Sequence, residues 1–416
     1  MKQFEQLFLE ALKASLTNKK LTWDFELPME TWQSLFELAD SHKVLPLIFD
    51  AVSACPAAKQ ADSQLMQGLK QRSIGNMMCQ IQKTAEFLKL YQQFEKQGIR
   101  PLVVKGIVCR ELYPNPDFRM SSDEDILVPA ESFGKCIEIL QNCGLKPTSQ
   151  PADVEKVDEI GFIDEKGFSY IELHKSLFPE DSDAYGELNH YFVNCFEESM
   201  VMNVQGTTIC TLNPGMHLFY LICHAFKHFL HSGFGLRQVC DIVMFANVYG
   251  KEIDWQRLLV QCREIRADKF TAALFKIGEK HLIFDKEKAG YSEEWQQIEI
   301  EEEALLQELL GSGIYGGSTR SRLHSSNMTL KAVADQKHGK KRSNTVVSTV
   351  FPSAKALESR YAYLKDKPFL LPAAWCDRIL KYHKEIHTLK ANSASEAVKI
   401  GNQRIELLKQ YGILEK

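Results

Sequence analysis

The stretch LVVKGIVCRELYPNPDFRMSSDEDILVP, residues 102–129, contains the pattern that decides the fold. The apolar runs LVV (102–104) and DILV (125–128) are typical of short buried strands. Between them stand a Lys-Gly pair, typical of a turn, and residues 107–113, which are long enough for one or two helical turns. The stretch therefore predicts a strand, a turn, a short helix and a second strand.

Further strand and helix patterns surround this stretch. Residues 161–174 and 200–212 each alternate around a glycine-containing turn, which predicts two β-hairpins. We expect an α+β fold, with a small mixed-sheet domain flanked by N-terminal helices and a C-terminal helical domain. In chain order the predicted regions are an N-terminal helical region (1–98), the α/β domain (99–212), a helical domain (213–310), a mobile basic loop (311–345) and a C-terminal helical region packing on the core (346–416).

Composition excludes several classes of protein. The chain has 416 residues, a formal net charge of −4 and 44% hydrophobic residues, as in an ordinary globular protein. Its apolar runs fall short of the roughly 18 residues that a membrane span needs. The amphipathic N-terminus does not resemble a signal peptide, and the eleven cysteines form no CxxC pair. We therefore expect reduced thiols, a cytoplasmic location and no globally basic nucleic-acid binder.

The small net charge combines two opposite blocks. Residues 293–308 carry seven glutamates and no basic residue, within a predicted helix over 293–310. Residues 320–342 carry seven basic residues against one acidic residue. A solvated loop is the simplest interpretation of the basic block, and a contact with RNA or another anionic partner is the alternative.

Carboxylates recur at a spacing that suits a metal site. Asp123 and Asp125 stand two apart on a predicted strand, so their side chains share one face and Glu124 points to the other. Glu172 lies on a later predicted strand, with His174 on its own face. If the two strands are neighbours, three carboxylates meet, and hard oxygen ligands suit Mg²⁺ or Mn²⁺. Solvated strand ends are the alternative interpretation.

Anion-binding groups precede the carboxylates. Lys105 and Gly106 form a turn at the start of a predicted helix, where backbone N–H groups could hold phosphate oxygens. Arg119, Ser121 and Ser122 stand just before the aspartates and could bind further oxygens. The alternative for Lys105 is an ordinary surface lysine.

Four histidines fall along one face of a predicted helix over 214–230 and just beyond it: His217, His224, His228 and His231. The segment lacks the glutamate of HExxH, so packing or lining of a cleft is favoured over zinc binding. Arg237 and Asp241, four apart on the next helix, predict either an ion pair or a contact of Arg237 with a nucleotide. His174 is a candidate substrate contact.

This order of motifs resembles the DNA polymerase β-like nucleotidyltransferase superfamily. More narrowly, it resembles a bacterial nucleotidyltransferase family of uncharacterised function. The resemblance covers roughly residues 20–390 and rests on matched positions, which are Lys105-Gly106, Tyr113-Pro114, Arg119, Asp123-Glu124-Asp125-Ile126-Leu127-Val128, Glu172-Leu173-His174, His224, His228, Leu236-Arg237 and Asp241. Ile107 follows Gly106 where the wider superfamily carries serine or glycine.

The resemblance implies a Mg²⁺-dependent enzyme that transfers a nucleoside monophosphate from a nucleoside triphosphate and releases pyrophosphate. In that scheme Asp123 and Asp125 hold two metal ions and Glu172 completes one of them. The implied nucleotide contacts are Lys105, Gly106, Arg119, Ser121, Ser122, His174 and Arg237. The acceptor is left open among a small molecule, a protein and RNA. The alternatives are a catalytically silent protein that binds a nucleotide or a partner, and a toxin-like enzyme that modifies tRNA or protein.

Overall fold

The computed structural model describes residues 1–149, 157–231, 233–312, 320–337, 357, 361–364, 367–378 and 394–415. The chain forms two compact units. The first unit comprises Met1–Phe226 and Phe234–Ile314, and the second comprises Lys227–Gly233 and Tyr315–Lys416. None of the helices in the described ranges combines the length and apolarity needed to cross a bilayer.

A mixed sheet lies in the first unit. The described residues form seven strands in the order β3-β4-β5-β2-β1-β7-β6. Their bounds are β1 Leu102–Val104, β2 Glu124–Leu127, β3 Lys146–Pro147, β4 Glu159–Ile163, β5 Tyr170–His174, β6 Met200–Val204 and β7 Thr207–Thr211. β2 lies between β1, to which it is antiparallel, and β5, to which it is parallel. The sheet and its flanking helices confirm the predicted α+β class.

Helices precede and follow the sheet. The first unit contains α1 Gln3–Leu16, α2 Met29–Ser41, α3 Leu45–Ser53, α4 Pro56–Gln60, α5 Ser63–Lys96, α6 Gly106–Arg110, α7 Phe133–Asn142, α8 Pro214–His231, α9 Leu236–Tyr249, α10 Trp255–Glu264, α11 Asp268–His281, α12 Lys286–Ala289, α13 Glu293–Gln296 and α14 Glu303–Ser312. Helix α8 continues into the second unit. The Asn213 side chain accepts a hydrogen bond from the Met216 N–H, so α8 begins with a side-chain cap.

Both predicted hairpins are present. β4 pairs antiparallel with β5, and β6 pairs antiparallel with β7. Their turns contain Gly167 at φ 68° and Gly206 at φ 85°, a backbone region that glycine enters without steric cost. The turn residues therefore account for the register of both strand pairs.

The predicted helix over 293–310 is wrong as a single element. Helix α13 ends at Gln296 and α14 begins at Glu303. The Lys276 ammonium donates to the Ile300 carbonyl, which therefore has a partner outside any helix. Lys280 also forms an ion pair with Glu302. These two lysines stabilise an irregular link through a strongly acidic segment.

Part of the predicted mobile loop over 311–345 is a helix of the second unit. Arg320–Lys337 forms helix α15, and Ala394–Gln410 forms the helix we call α16. A Cβ atom on Gly401 of α16 would overlap the Met328 side chain of α15, so the absence of a side chain lets the helices approach closely. The basic side chains of this segment suggested a loop, although the segment forms a packed helix. Residues 313–319 and 338–345 lie outside the described part of the chain.

Candidate active site

The acidic face of β2 meets that of β5. Their parallel register places Asp125 opposite Glu172 and Leu127 opposite His174. His174 Nε2 lies 3.1 Å from Asp125 Oδ1 and 3.7 Å from Glu172 Oε2. One ligand atom from each of these three residues lies within 4.8 Å of the other two, so the group could hold a metal ion. The two strands are therefore neighbours in the sheet, which is the condition that the predicted carboxylate site required.

Asp125 and His174 of this cluster are buried, and Glu172 is partly buried. Asp125 is 2% exposed and His174 is 5% exposed. Burial alone would lower the pKa of His174, but its contacts with Asp125 and Glu172 outweigh burial and raise the pKa to about 9. Asp125 Oδ2 faces the Lys105 ammonium group at 3.0 Å, whereas His174 Nδ1 has no hydrogen-bond partner among the described residues. An unsatisfied buried polar atom is costly, which is typical of a site that binds a ligand.

Lys105 supplies the nearest ammonium group. Its Nζ lies 3.0 Å from Asp125 Oδ2 and 3.7 Å from Asp123 Oδ2. Burial alone would lower the pKa of Lys105, but the charges of Asp123 and Asp125 raise it well above its usual value. Lys105 thus contacts both aspartates and lies nearer to Asp125, while Asp123 lies outside the Asp125–Glu172–His174 group.

The backbone of Lys105 is held in an unusual conformation. Its φ is 52° and its ψ is −130°, a region that residues other than glycine rarely adopt. The Lys105 N–H donates to His217 Nε2 at 3.2 Å, which leaves the proton of neutral His217 on Nδ1, facing Thr211 Oγ1 at 3.0 Å. The Thr211 hydroxyl in turn donates to the Val103 carbonyl. This chain of hydrogen bonds ties α8 to the turn.

Two of the four helix histidines therefore contact the site. His217 is buried, and burial lowers its pKa to about 3, so it remains neutral. His224 Nε2 lies 3.2 Å from Lys105 Nζ. The prediction that these histidines pack or line a cleft is refined, because His217 and His224 position the lysine. Sequence reasoning missed this role, and its only signal was their spacing of seven along one helical face.

Glu124 occupies the opposite face of β2, as its position between two aspartates predicts. Its carboxylate pairs with Arg110 and accepts a hydrogen bond from the Ile107 N–H at 2.7 Å. A Cβ atom on Gly106, where φ is 39°, would overlap this carboxylate. The turn predicted to cradle a phosphate thus already holds an anion of the protein at its Ile107 N–H.

The predicted partner of Asp241 is wrong. Arg119, not Arg237, binds it through two bonds, Nε to Oδ1 at 3.1 Å and Nη2 to Oδ2 at 2.6 Å. The Tyr113 hydroxyl also donates to Asp241. Arg237 instead donates to the Met120 carbonyl. Arg119 is thus committed to a buried pair, and sequence spacing gave no signal for a partner 122 positions away.

The two predicted serines differ in their surroundings. Ser121 is buried, its N–H donates to Gln80 Oε1, and its hydroxyl donates to the Asp123 carbonyl at 2.9 Å. Ser122 is exposed, and its carbonyl accepts from Lys83 at 3.4 Å. Ser121 therefore shapes the loop before β2, whereas a phosphate contact by Ser122 stays a prediction.

A cleft of about 590 Å³ lies beside Asp123. Ser121 and Ser122 line it together with Phe87 and Leu90 of α5. The cleft combines apolar side chains with polar loop residues, a composition typical of small-molecule sites. It offers space for a small molecule next to one of the predicted catalytic carboxylates.

Comparison with known proteins gives one family. Residues 28–282 match the model of a family described as uncharacterised nucleotidyltransferases. Among solved structures, an antigenic nucleotidyltransferase-like protein from Paracoccidioides brasiliensis is 12% identical and covers 49% of this chain and 94% of its own, with a TM-score of 0.30. No functionally curated protein shows significant similarity. Because the family model spans more than half of the chain, the protein belongs to this family of uncharacterised nucleotidyltransferases.

Proposed function

We propose that this protein transfers a nucleoside monophosphate from a nucleoside triphosphate to an acceptor hydroxyl and releases pyrophosphate. The observation that carries the proposal is the register of β2 on β5, which aligns Asp125 with Glu172 in a member of a nucleotidyltransferase family. A slip of one residue would turn one carboxylate to the other face of the sheet. The wider place of the family beside polymerase β-like enzymes stays an inference from motif order.

The residues present fit a divalent ion. His174 Nδ1 is buried without a hydrogen bond, and two of the three clustered ligand atoms are carboxylate oxygens, those of Asp125 and Glu172. Mg²⁺ or Mn²⁺ at Asp125 and Glu172, with Asp123 as the third predicted ligand, would supply Lewis-acid stabilisation of the phosphoryl oxygens.

The transfer itself assigns roles to three side chains. The acceptor oxygen attacks the α-phosphorus, and the bond from that phosphorus to the oxygen bridging to the β-phosphate breaks. In this proposal Glu172, whose side chain is 23% exposed, takes the hydroxyl proton. Lys105 offers its ammonium group to the negative phosphates, while Arg119 positions the loop before β2 through Asp241.

The proposal is tested by incubating the protein with each of four α-³²P-labelled nucleoside triphosphates, Mg²⁺ or Mn²⁺, and cell lysate. We expect one labelled acceptor and release of unlabelled pyrophosphate. Asp125→Asn keeps the shape of the side chain and removes its charge, so it should lower labelling by about 10²–10³-fold. Asp254→Asn, at the exposed N-cap of α10, is the matched control.

Two outcomes would contradict transfer. If triphosphates raise the melting temperature of the wild type but label nothing, the protein is a silent nucleotide-binding member of the family. If Asp125→Asn labels the acceptor as well as the wild type does, the carboxylates do not perform the reaction.

A further inference from the structure

We propose that Asp125, Glu172 and His174 form a divalent-metal site with two oxygen donors and one nitrogen donor, and that the site prefers Mn²⁺ to Mg²⁺. The inference deepens the proposed function, on which it rests for the purpose of the ion, because it replaces the predicted Asp123 ligand with His174. Binding of the metal can be measured without any transfer reaction.

The distances fit common coordination. Two atoms that each lie about 2.1 Å from one ion at right angles are about 3 Å apart. His174 Nε2 lies 3.1 Å from Asp125 Oδ1, and 3.7 Å separate the same nitrogen from Glu172 Oε2. Small side-chain movements would therefore bring all three atoms to one ion.

The surroundings of His174 support its role as a ligand. Its Nδ1 is buried without a hydrogen bond and lies 3.6 Å from Glu159 Oε2 on the adjacent strand β4. Metal-binding histidines generally direct the second ring nitrogen toward a carboxylate, carbonyl or water, which fixes the ring. Glu159 thus stands where such an orienting carboxylate is expected.

Asp123 is placed differently. Its carboxylate lies 3.7 Å from Lys105 Nζ, and its side chain is 27% exposed, compared with 2% for Asp125. His224 and the Lys105 turn hold that ammonium group against the two aspartates. Lys105 contacts both aspartates and lies nearer to Asp125, at 3.0 Å. Asp123 stays outside the group of ligand atoms in which the buried histidine takes the third position.

The donor set determines which ion is preferred. Mg²⁺ favours an octahedron of oxygens and retains water ligands. Imidazole nitrogen suits first-row transition ions better, and Mn²⁺ accepts carboxylate and imidazole together. A site with one imidazole and two carboxylates should thus bind Mn²⁺ more tightly than Mg²⁺.

The test is pulsed EPR of Mn²⁺ bound to the full-length protein without nucleotide. We expect a nitrogen coupling from one directly bound imidazole, and its loss in His174→Gln. By calorimetric titration, Mn²⁺ affinity should fall at least about tenfold in His174→Gln, while Mg²⁺ affinity changes less. His190→Gln makes the same chemical change at an exposed position and should alter neither.

Each contrary result is decisive. Bound Mn²⁺ without nitrogen coupling in the wild type overturns the ligand assignment, whether or not any variant folds. Absence of Mn²⁺ binding, or equal affinities for Mn²⁺ and Mg²⁺, also overturns the inference. Nucleotide transfer by a protein whose Mn²⁺ shows no nitrogen coupling would leave the proposed function standing, whereas coupling without transfer would leave only the metal site.

Discussion

The two faces of strand β2 carry carboxylates with different kinds of partner. On one face, Glu124 is paired with Arg110 and bonded to the Ile107 N–H. On the other, Asp125 contacts the side chains of Lys105 and His174, and His174 Nδ1 is buried without a hydrogen bond. A fully bonded buried group stabilises a fold, whereas an incompletely bonded cluster is available to bind a ligand. One strand thus presents a structural carboxylate on one face and a candidate ligand-binding carboxylate on the other.

Removing the cationic partner of Glu124 should have the largest effect on stability. Arg110→Met leaves Glu124 buried without its cation, and loss of one partner of a buried pair costs about 3–5 kcal/mol. Urea denaturation should show this loss in the free energy of unfolding. Lys146→Met, which removes an exposed pair with Glu165, is the control and should change little. Equal effects would refute the structural role of Glu124.

Removing the charge of Asp125 should affect activity more than stability. Asp125→Asn should lower the rate of nucleotide transfer by about 10²–10³-fold, the usual cost of removing one electrostatic stabiliser of a transition state. Its free energy of unfolding should fall by less than that of Arg110→Met, because Lys105 keeps Asp123 as a partner. Initial rates and urea denaturation of the same preparation measure both quantities, and a strongly destabilised variant would contradict the comparison.

Gly106→Ala tests the turn that joins the two faces. The new Cβ would overlap the Glu124 carboxylate, and φ at this position is positive. Backbone strain of this kind costs about 1–3 kcal/mol, which thermal or urea unfolding would detect. Gly134→Ala, on α7 with no atom near its Cβ position, is the matched control. A neutral Gly106→Ala would show that Glu124 has room to move.

A smaller, pH-dependent effect should come from His217. Burial lowers its folded-state pKa to about 3, below the ordinary value of 6.5. The neutral ring therefore contributes stability that is complete above about pH 6.5 and is lost as the pH falls toward 3. Between pH 7 and pH 5, the wild type should lose more unfolding free energy than His217→Gln. Parallel pH profiles would mean that His217 is not buried in its neutral form.

Local sequence patterns predicted which face of strand β2 each carboxylate occupies. Alternation along a strand placed Asp123 and Asp125 on one face and Glu124 on the other, and hairpin turns predicted the pairing of β4 with β5. Such inferences need only the period of a strand and the chemistry of a turn. The resemblance to a nucleotidyltransferase family followed from matched positions between Lys105 and Asp241.

Local sequence patterns could not predict which distant residues contact each other. The contacts of Arg119 with Asp241 and of Lys105 with His217 join segments more than 100 positions apart. Nothing in residue spacing specifies which of several buried charges will meet. The same limit explains why the polar residues of α15 suggested a loop, since its burial comes from packing against α16.

The close packing of Gly106, Arg110 and Glu124 has an evolutionary consequence. A side chain at position 106 requires a smaller residue at 124, and loss of the charge at 124 releases the need for arginine at 110. These three positions should change together in relatives that keep the fold. A relative that loses Asp125 or Glu172 but keeps this trio would then be identified, from sequence alone, as a folded member without the proposed catalytic carboxylates.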